Sequence, residues 1–361
     1  MSTARSSAGP AAAAGAAAAT EPAAATEPAA VRRIAVLRPN RRLGNTLMLT
    51  PLLQELQQRF PQAQIELVTT CAMAAVLFER FPQVTAVHAI LTDQPLRAVG
   101  RLLALRRRSY DLAIDPNLHS RTGRALLGYV RARDRVGFRW GVPGRDRMLT
   151  HAGDPQRAPL HVAQSPLFLL HCAYYPRALP MAAAEAGRVD LPLELRLTQA
   201  ERMQGERRLA EALGPADGQG RPRVGLYAHA TGLKTYPAGW WGEVIDRLRR
   251  RSSPIDLLEI IPQDGRARLA GVIPGLFTPD LRLLAATLAA TSLVVIPDGG
   301  VMHLAEAAGA PLLALFRNTE PARYGPYRPG SEVIRSPDPS PELVAARILA
   351  RLEGTVSAAA G

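Results

Sequence analysis

Cysteine, aromatic residues and long apolar runs are scarce in this chain, and each scarcity excludes a class of protein. The two cysteines, Cys71 and Cys172, lie far apart in apolar stretches, so we expect reduced core residues of a cytoplasmic protein and no zinc site. No segment of the sequence approaches the roughly 20 consecutive apolar residues that a membrane-spanning helix needs. Aromatic residues make up only 5% of the chain, which leaves few rings among the basic residues on which bases could stack. We therefore do not expect a nucleic-acid partner.

Lysine is scarcer still, because Lys234 is the only one in the sequence. Lysine and arginine together number 44, so all other basic residues are arginines. A compact ammonium can reach phosphate oxygens from a narrow loop where a planar, forked guanidinium needs more room. Lys234 lies in a small-residue stretch, ATGLKTYPAGWW, ahead of two tryptophans. We interpret it as a phosphate contact, and the alternative is one isolated surface lysine in a chain whose composition favours arginine.

Positive charge is abundant and unevenly distributed. The net charge is +13, and residues 97–147 contain 13 arginines against four aspartates. About two thirds of the excess charge therefore lies in one short part of the chain, which favours an anionic partner such as a phosphorylated sugar or an anionic lipid surface. The alternative is a set of arginines on ordinary solvated faces.

Short apolar strands alternate with helical segments in two separate parts of the chain. The predicted strands of the first part are RRIAVLR (32–38), IELVT (65–69), VTAVHAI (84–90) and YDLAID (110–115). Those of the second part are RVGLYAHAT (223–231), IDLLEII (255–261), SLVVIPDGG (292–300) and, as the last strand, PLLALF (311–316). This alternation predicts an α/β protein with parallel, doubly wound sheets. Two Rossmann-like units of this kind form a ligand cleft at the carboxyl ends of both sheets.

Composition and periodicity place the boundaries of these units. We expect a disordered Ala/Pro-rich tail over residues 1–30, Rossmann-like units over residues 31–195 and 196–340, and a terminal helix and tail over residues 341–361.

A second candidate phosphate contact lies in the C-terminal unit. In SLVVIPDGGVMHLAEAAG, Asp298, Gly299 and Gly300 follow a strand and precede a helix that carries His303 in its first turn. Backbone N–H groups at a helix N-terminus favour anions, and glycine allows the anion to approach the backbone. Lys234 follows another strand of the same unit, so we predict that both contacts converge on one diphosphate. Taken alone, the glycines could form a common turn and His303 could be a satisfied structural histidine.

Four segments in this order resemble glycosyltransferase family 9, the ADP-heptose:lipopolysaccharide heptosyltransferases. The opening RIAVLRPNRRLGNTLMLTPLLQELQQRFP carries the family's leucine-glycine and threonine-proline pairs at residues 43–44 and 50–51. The other three segments are YDLAIDPNLHSRTG, HATGLKTYPAGWW and VVIPDGGVMHLAEAAGAPLLALFRNTEPARYGPY. The resemblance spans about residues 31–335 and is specific to the family, but not to a donor or an acceptor.

The resemblance implies a GT-B fold, in which two Rossmann-like domains with parallel sheets face a central cleft. The N-terminal domain would hold the acceptor and the C-terminal domain the nucleotide sugar, with ADP-heptose as the first candidate donor. Transfer would invert the anomeric centre with no metal and no other cofactor. The acceptor would be an anionic glycolipid such as lipopolysaccharide core, reached at the cytoplasmic face of the inner membrane with peripheral membrane contact.

The same resemblance assigns candidate residues to each ligand. The candidate donor-binding residues are Thr231, Gly232, Lys234, Asp264, Asp298, Gly299, Gly300 and His303. The candidate acceptor-binding residues are Arg41, Arg42, Arg121 and Arg124.

One departure from the family concerns the catalytic base. The family usually has a carboxylate directly after the first glycine, whereas this chain has Asn45. An amide can orient a hydroxyl but cannot take its proton, and general-base help is worth roughly 10²–10⁴ in rate. Either Asp115 or His119 serves instead, or an acidic group of the acceptor helps, or the protein binds without turnover.

Three functional hypotheses therefore stand at this point. The first is sugar transfer, and the second is a catalytically silent homologue that binds a nucleotide sugar or glycolipid. The third, a Rossmann dehydrogenase, is disfavoured because neither unit shows the G-x-G-x-x-G fingerprint after its first strand.

Overall fold

The computed structural model describes residues 31–174, 191–215, 221–250, 254–326, 328 and 330–359. The predicted N-terminal tail lies outside the described residues. The remaining chain forms two six-stranded parallel sheets, one in each predicted unit.

The first unit contains a sheet with the strand order β3-β2-β1-β4-β5-β6. Its strands are β1 (Arg33–Arg38), β2 (Gln64–Thr69), β3 (Val84–Ala89), β4 (Ser109–Asp115), β5 (Arg131–Phe138) and β6 (His151–Gly153). Its helices are α1 (Leu43–Leu47), α2 (Thr50–Arg59), α3 (Ala74–Phe78), α4 (Pro95–Arg107), α5 (Arg121–Tyr129), α6 (Pro143–Asp146) and α7 (Ser165–Tyr174).

The second unit contains a sheet with the strand order β12-β11-β10-β7-β8-β9. Its strands are β7 (Arg223–Leu226), β8 (Asp256–Ile260), β9 (Gly275–Leu276), β10 (Leu293–Pro297), β11 (Leu312–Phe316) and β12 (Glu332–Arg335). Its helices are α8 (Gln199–Leu213), α9 (Ala238–Arg249), α10 (Leu281–Ala289), α11 (Gly300–Ala308), α12 (Pro321–Tyr324) and α13 (Pro341–Ala359).

The central strands are apolar on both faces because helices cover both sides of each sheet. In β1, Ile34 and Val36 belong to one buried apolar cluster, whereas Ala35 and Leu37 belong to another on the opposite face. This burial explains why the strand is a continuous apolar run rather than an alternating one.

An extended segment connects the two units and contacts both. The Glu194 N–H donates to Thr50 Oγ1 at 3.1 Å in the first unit, and the Leu195 N–H donates to the Ala307 carbonyl at 2.9 Å in the second. Helix α8 then begins at a capping box, in which Thr198 and Glu201 satisfy each other's backbone N–H groups. Leu43 and Gly44, after β1, also contact Gly300, after β10, so the carboxyl ends of the two sheets face each other.

The terminal helix α13 packs within the second unit. Its Val344 and Ile348 join Trp241 and Ile245 of α9 in one buried cluster. Among the described residues, no helix combines the length and the apolar character that crossing a bilayer would require.

The expectation that residues 311–316 form the last strand is wrong. The strand β12 follows it and pairs in parallel with β11, from Glu332 beside Leu313 to Arg335 beside Phe316. Three other strands that the sequence patterns do not predict are β5, β6 and β9.

Candidate active site

The only lysine lies beside the aspartate-glycine-glycine turn. Lys234 ends a single 3-10 turn (Gly232–Lys234) after β7, and its ammonium donates a hydrogen bond to the Asp298 carboxylate after β10. Because β7 and β10 are neighbours in the sheet, their carboxyl ends bring the two side chains together. Gly232 has a φ of 61°, in the left-handed region that favours glycine, and Thr231 precedes it in an exposed position. The Asp298 side chain is 6% exposed and that of Lys234 is 27% exposed.

The loop after β11 fixes this pair. Thr319 Oγ1 donates to Asp298 Oδ2 at 2.6 Å. Asn318 Nδ2 and Arg317 Nη1 donate at 3.0 and 2.7 Å to the carbonyls directly before and after Lys234. These two side chains therefore hold the loop that carries Lys234.

The start of α11 offers uncapped backbone N–H groups next to this pair. Gly299 precedes the helix in an extended conformation, and no side chain caps the helix. The first N–H groups of a helix have no partner within it and carry its positive dipole end. Lys234, whose charge Asp298 balances, and the amides of α11 together form a hydrogen-bond-donating surface that suits a diphosphate.

Two glycines allow the first turns of α1 and α11 to touch across the units. A Cβ atom on Gly44 would lie 2.6 Å from His303 Cδ2, and one on Gly300 would lie 3.0 Å from Leu43 Cβ. The partly exposed Asn45 therefore lies directly beside the start of α11. His303 itself is only 4% exposed, so it packs beneath Gly44 rather than presenting its ring openly to a departing phosphate.

Asp115 is enclosed, which argues against its direct use as a base. It ends β4 with no solvent exposure, and its Oδ1 accepts hydrogen bonds from the N–H and the side-chain amide of Asn117 at 3.2 and 2.6 Å. Burial raises the pKa of Asp115 to about 6, opposed by those bonds and by the charges of Arg124 and Arg38. Arg38 donates to Asn117 Oδ1 at 2.8 Å, and burial lowers its pKa to about 10. This cluster is a buried support beneath the cleft.

His119 is exposed, unlike Asp115. Its ring centroid lies 6.2 Å from that of Trp140. Of the two side chains predicted as alternative bases, only His119 is accessible to a substrate.

Arg124 does not lie where the predicted acceptor contact requires. Its side chain is 3% exposed, pairs with Asp146 at 3.2 Å and lies 4.5 Å from the centre of the Trp140 ring. It also donates to the Phe138 carbonyl. An anionic acceptor cannot reach a guanidinium that is buried in this way, so Arg124 stabilises the first unit instead.

Arg41, Arg42 and Arg121, the other predicted acceptor contacts, are exposed. Arg41 and Arg42 line a pocket of about 800 Å³ at the carboxyl ends of β1, β2 and β3. Opposite them, the pocket is bounded by residues 70–73 and 90–93. Its volume falls in the range of small-molecule sites, and it lies at the same edge of the sheet as α1, which carries Asn45.

The C-terminal unit contains a buried carboxylate that the sequence analysis missed. Glu259 in β8 is fully buried, accepts from the N–H groups of Arg268 and Leu269 at 2.7 and 2.9 Å, and lies 3.4 Å from His229 Nε2. Desolvation lowers the pKa of His229, opposed by Glu259. The signal was a glutamate inside the apolar run IDLLEII, because a glutamate is seldom fully buried without partners. Asp264, a predicted donor-binding residue, is exposed and accepts from the Arg266 N–H within its own turn.

Within the part of the chain that the structure describes, no group of three or more His, Cys, Asp and Glu side chains is arranged to hold a metal ion. Positive charge at the candidate site comes from Lys234 and the amides of α11.

The comparisons with known proteins agree with this architecture. Residues 99–352 match the model of glycosyltransferase family 9 (heptosyltransferase), whereas no curated protein matches the sequence significantly. A family 9 glycosyl transferase from Veillonella parvula is 19% identical, with a TM-score of 0.74, over 91% of this chain and 99% of that one. The ADP-heptose lps heptosyltransferase II of E. coli is 19% identical, with a TM-score of 0.66, over 89% and 99% of the two chains. The E. coli heptosyltransferase WaaC with ADP is 18% identical, with a TM-score of 0.62, over 88% and 99%. At this identity the structural matches support the GT-B fold.

Proposed function

This chain belongs to glycosyltransferase family 9, the heptosyltransferases, and is therefore a glycosyltransferase; we propose that it moves a heptose-type sugar from ADP-heptose to a lipopolysaccharide core or a related envelope glycan. The reaction would invert the anomeric centre, and neither a metal nor another cofactor would take part. The enzyme would act in the cytoplasm, where a nucleotide sugar is available.

The observation that carries the proposal is the meeting of Lys234 with the uncapped start of α11. In glycosyl transfer, negative charge develops on the departing diphosphate, and fixed donors aimed at that charge lower the barrier. The Lys234 ammonium already bonds to the buried Asp298, which keeps it in place before the donor arrives. The N–H groups at Gly299 and Gly300 would bind the phosphate oxygens beside it.

The acceptor would bind in the pocket lined by Arg41 and Arg42. Two exposed guanidinium groups suit phosphate or carboxylate groups of an inner-core glycolipid. The pocket and Asn45 both lie at the carboxyl ends of the first sheet, so a hydroxyl held there would face the donor across the contact between Gly44 and Gly300.

A second candidate, a catalytically silent homologue, is favoured by the side chains around that hydroxyl. Asn45 cannot accept a proton at a useful pKa, and the enclosed Asp115 cannot reach a substrate. An active enzyme would then depend on His119 or on an acidic group of the acceptor itself.

The test measures ADP release from ADP-heptose with and without a deacylated, phosphorylated inner-core acceptor. Acceptor-dependent ADP release that is lost in Lys234→Ala supports transfer. Donor binding in a calorimetric titration without any acceptor-dependent release identifies the silent homologue. If the protein binds neither ADP nor ADP-heptose, the nucleotide-sugar proposal is wrong.

A further inference from the structure

The outer face of α4 carries an apolar stripe that no other described part of the chain covers. Leu96, Val99 and Leu103 are 88%, 54% and 50% exposed. Their spacing of three and four residues places them on one side of the helix. Leu105, on the opposite side, is fully buried against the first sheet. The helix therefore has two apolar faces, of which only the inner one is needed for the fold.

Arginines border this outer stripe. Helix α4 contains four arginines and no acidic residue. Arg106 donates to the Tyr129 carbonyl at 2.7 Å, so it is partly engaged. Arg106 and Arg107 are exposed on the two flanks of the stripe, whereas Arg97 lies about 100° or more around the helix from it and donates to Gln94 at 3.3 Å. An apolar stripe bordered by arginines is the pattern of a helix that lies in the interface of an anionic bilayer.

The position of α4 adds a reason for such contact. The helix begins at Pro95, directly after residues 90–93, which form one wall of the pocket beside Arg41 and Arg42. Leu96, the most exposed apolar residue of the stripe, consequently lies at the pocket end of the helix. A lipid-linked glycan whose acyl chains stay in the bilayer could enter this pocket when α4 rests on the membrane surface.

We propose that the outer face of α4, formed by Leu96, Val99 and Leu103 with Arg106 and Arg107, docks on the surface of an anionic phospholipid bilayer. The stripe spans a single short helix, which is small beside the roughly 800 Å² per partner of a standard protein interface. The inference deepens the proposed function, because it explains how the enzyme reaches a lipid-linked acceptor, but the docking itself requires neither donor nor acceptor.

The experiment is co-sedimentation of the full chain with vesicles of phosphatidylcholine, with and without phosphatidylglycerol. We expect binding to the anionic vesicles that weakens with salt. The triple variant Leu96→Ser/Val99→Ser/Leu103→Ser should lower the partition coefficient by about tenfold or more. Arg106→Gln/Arg107→Gln should lower it by roughly fivefold per arginine, since each basic residue near the surface contributes about 1 kcal/mol of binding free energy.

Matched control variants distinguish binding by this surface from nonspecific binding to vesicles. Leu160, Met203 and Leu343 are 59%, 53% and 43% exposed elsewhere on the molecule, and replacing all three by serine should leave vesicle binding unchanged. Replacing the exposed Arg202 and Arg207 by glutamine supplies the charge control. Circular dichroism melting checks that each variant folds.

Defined outcomes overturn the inference. If the wild type does not bind anionic vesicles, or if the α4 variants bind as the wild type does, the docking surface is wrongly assigned. If the triple variant converts a dimer into a monomer in sedimentation velocity while vesicle binding persists, the stripe contacts a second copy of this chain instead. Transfer to a deacylated acceptor should survive in the α4 variants, so failure of the docking and failure of the proposed function are distinguishable.

Discussion

Replacing Lys234 by alanine is the most direct test of the site. The change removes the one ammonium that lies beside the start of α11, and we expect donor affinity to fall. A hydrogen bond to a charged group contributes about 1.5–3 kcal/mol, which corresponds to a roughly 10- to 150-fold rise in Kd. Because Asp298 is only 6% exposed, the variant also leaves a carboxylate facing the diphosphate with Thr319 as its remaining side-chain donor. This repulsion places the expected loss toward the upper end of the range.

A double variant separates these two effects. Asp298→Asn removes the buried negative charge, so Lys234→Ala/Asp298→Asn should bind the donor more tightly than Lys234→Ala alone. The difference between the two Kd values measures the repulsion, and the loss that persists in the double variant measures the lysine's own contact. If Asp298 bonds the sugar directly, the double variant should bind ADP-heptose, but not ADP, more weakly than Lys234→Ala does.

The assay is isothermal titration calorimetry with ADP and with ADP-heptose. Arg250→Ala, an exposed basic residue at the end of α9, serves as the control and should titrate as the wild type does. Should Lys234→Ala bind both ligands within about twofold of the wild type while melting normally, the lysine does not contact the diphosphate and the reasoning from its position is refuted.

Three further predictions concern the contact between the units, the base and a buried acid. Gly44→Ala should lower the free energy of unfolding by about 1–3 kcal/mol, because its methyl group would lie 2.6 Å from His303. The control is Gly242→Ala, at a helical glycine with no neighbour within 4 Å, which should be neutral or stabilising in the same thermal melts. Equal losses of stability in the two variants would contradict the packing argument. Asn45→Asp should raise the rate of transfer by at least about tenfold near neutral pH, and an unchanged or lower rate would show that residue 45 does not approach the acceptor hydroxyl. Glu66→Gln should lower the free energy of unfolding by about 2–3 kcal/mol at pH 7. Burial opposes the charge of Glu66, but hydrogen bonds from His88, Tyr110 and Arg108 outweigh it and hold the pKa at about 2 against an ordinary 4.5. Since the pKa of Glu66 is lower in the folded than in the unfolded protein, this stability is present above pH 4.5 and is lost as the pH falls through 2. In urea melts, the difference in unfolding free energy between wild type and Glu66→Gln should therefore be smaller at pH 3 than at pH 7. An equal difference at both pH values would exclude the ionised carboxylate as its source.

The convergence of the site could be predicted because it follows from topology. Lys234 and Gly300 each follow an apolar strand, and parallel strands of one sheet place such loops at the same edge. The argument does not need the position of either residue in space. The same holds for Leu43 and Gly44, which follow β1 at the corresponding edge of the first sheet.

The strands that were missed all lack a clear apolar pattern, for reasons that differ from strand to strand. Strand β5 reads RARDRVGF, and its first half is largely solvent-accessible, so its arginines conceal the apolar pattern. Strand β9 has two residues and β6 has three, which is too short for any periodicity to show. Strand β12 lies at the edge of its sheet, and only one of its four residues is buried. Edge positions thus weaken the signal on which strand prediction depends.

The individual roles of charged side chains could not be predicted, because they depend on contacts between distant parts of the chain. Arg124 was grouped with the exposed arginines by its place in a basic stretch. Trp140 and Asp146 lie 16 and 22 positions further on, and they bury it. The enclosure of Asp115 likewise depends on Arg38 from another strand. Charge counts along the sequence cannot distinguish a guanidinium that supports the fold from one that faces a ligand.

Residue 45 is the position from which a catalytic base would be expected to act. The first turns of α1 and α11 touch through Gly44 and Gly300, so residue 45 lies beside the start of α11. Asp115 is fully buried. His119 lies in the loop after β4, the strand next to β1 in the sheet. An acceptor hydroxyl aligned with the departing diphosphate would therefore meet an amide where a base is needed. If the chain is active, the proton must leave through the acceptor's own acidic group or through His119, and transfer to an acceptor without such a group should depend on His119 alone.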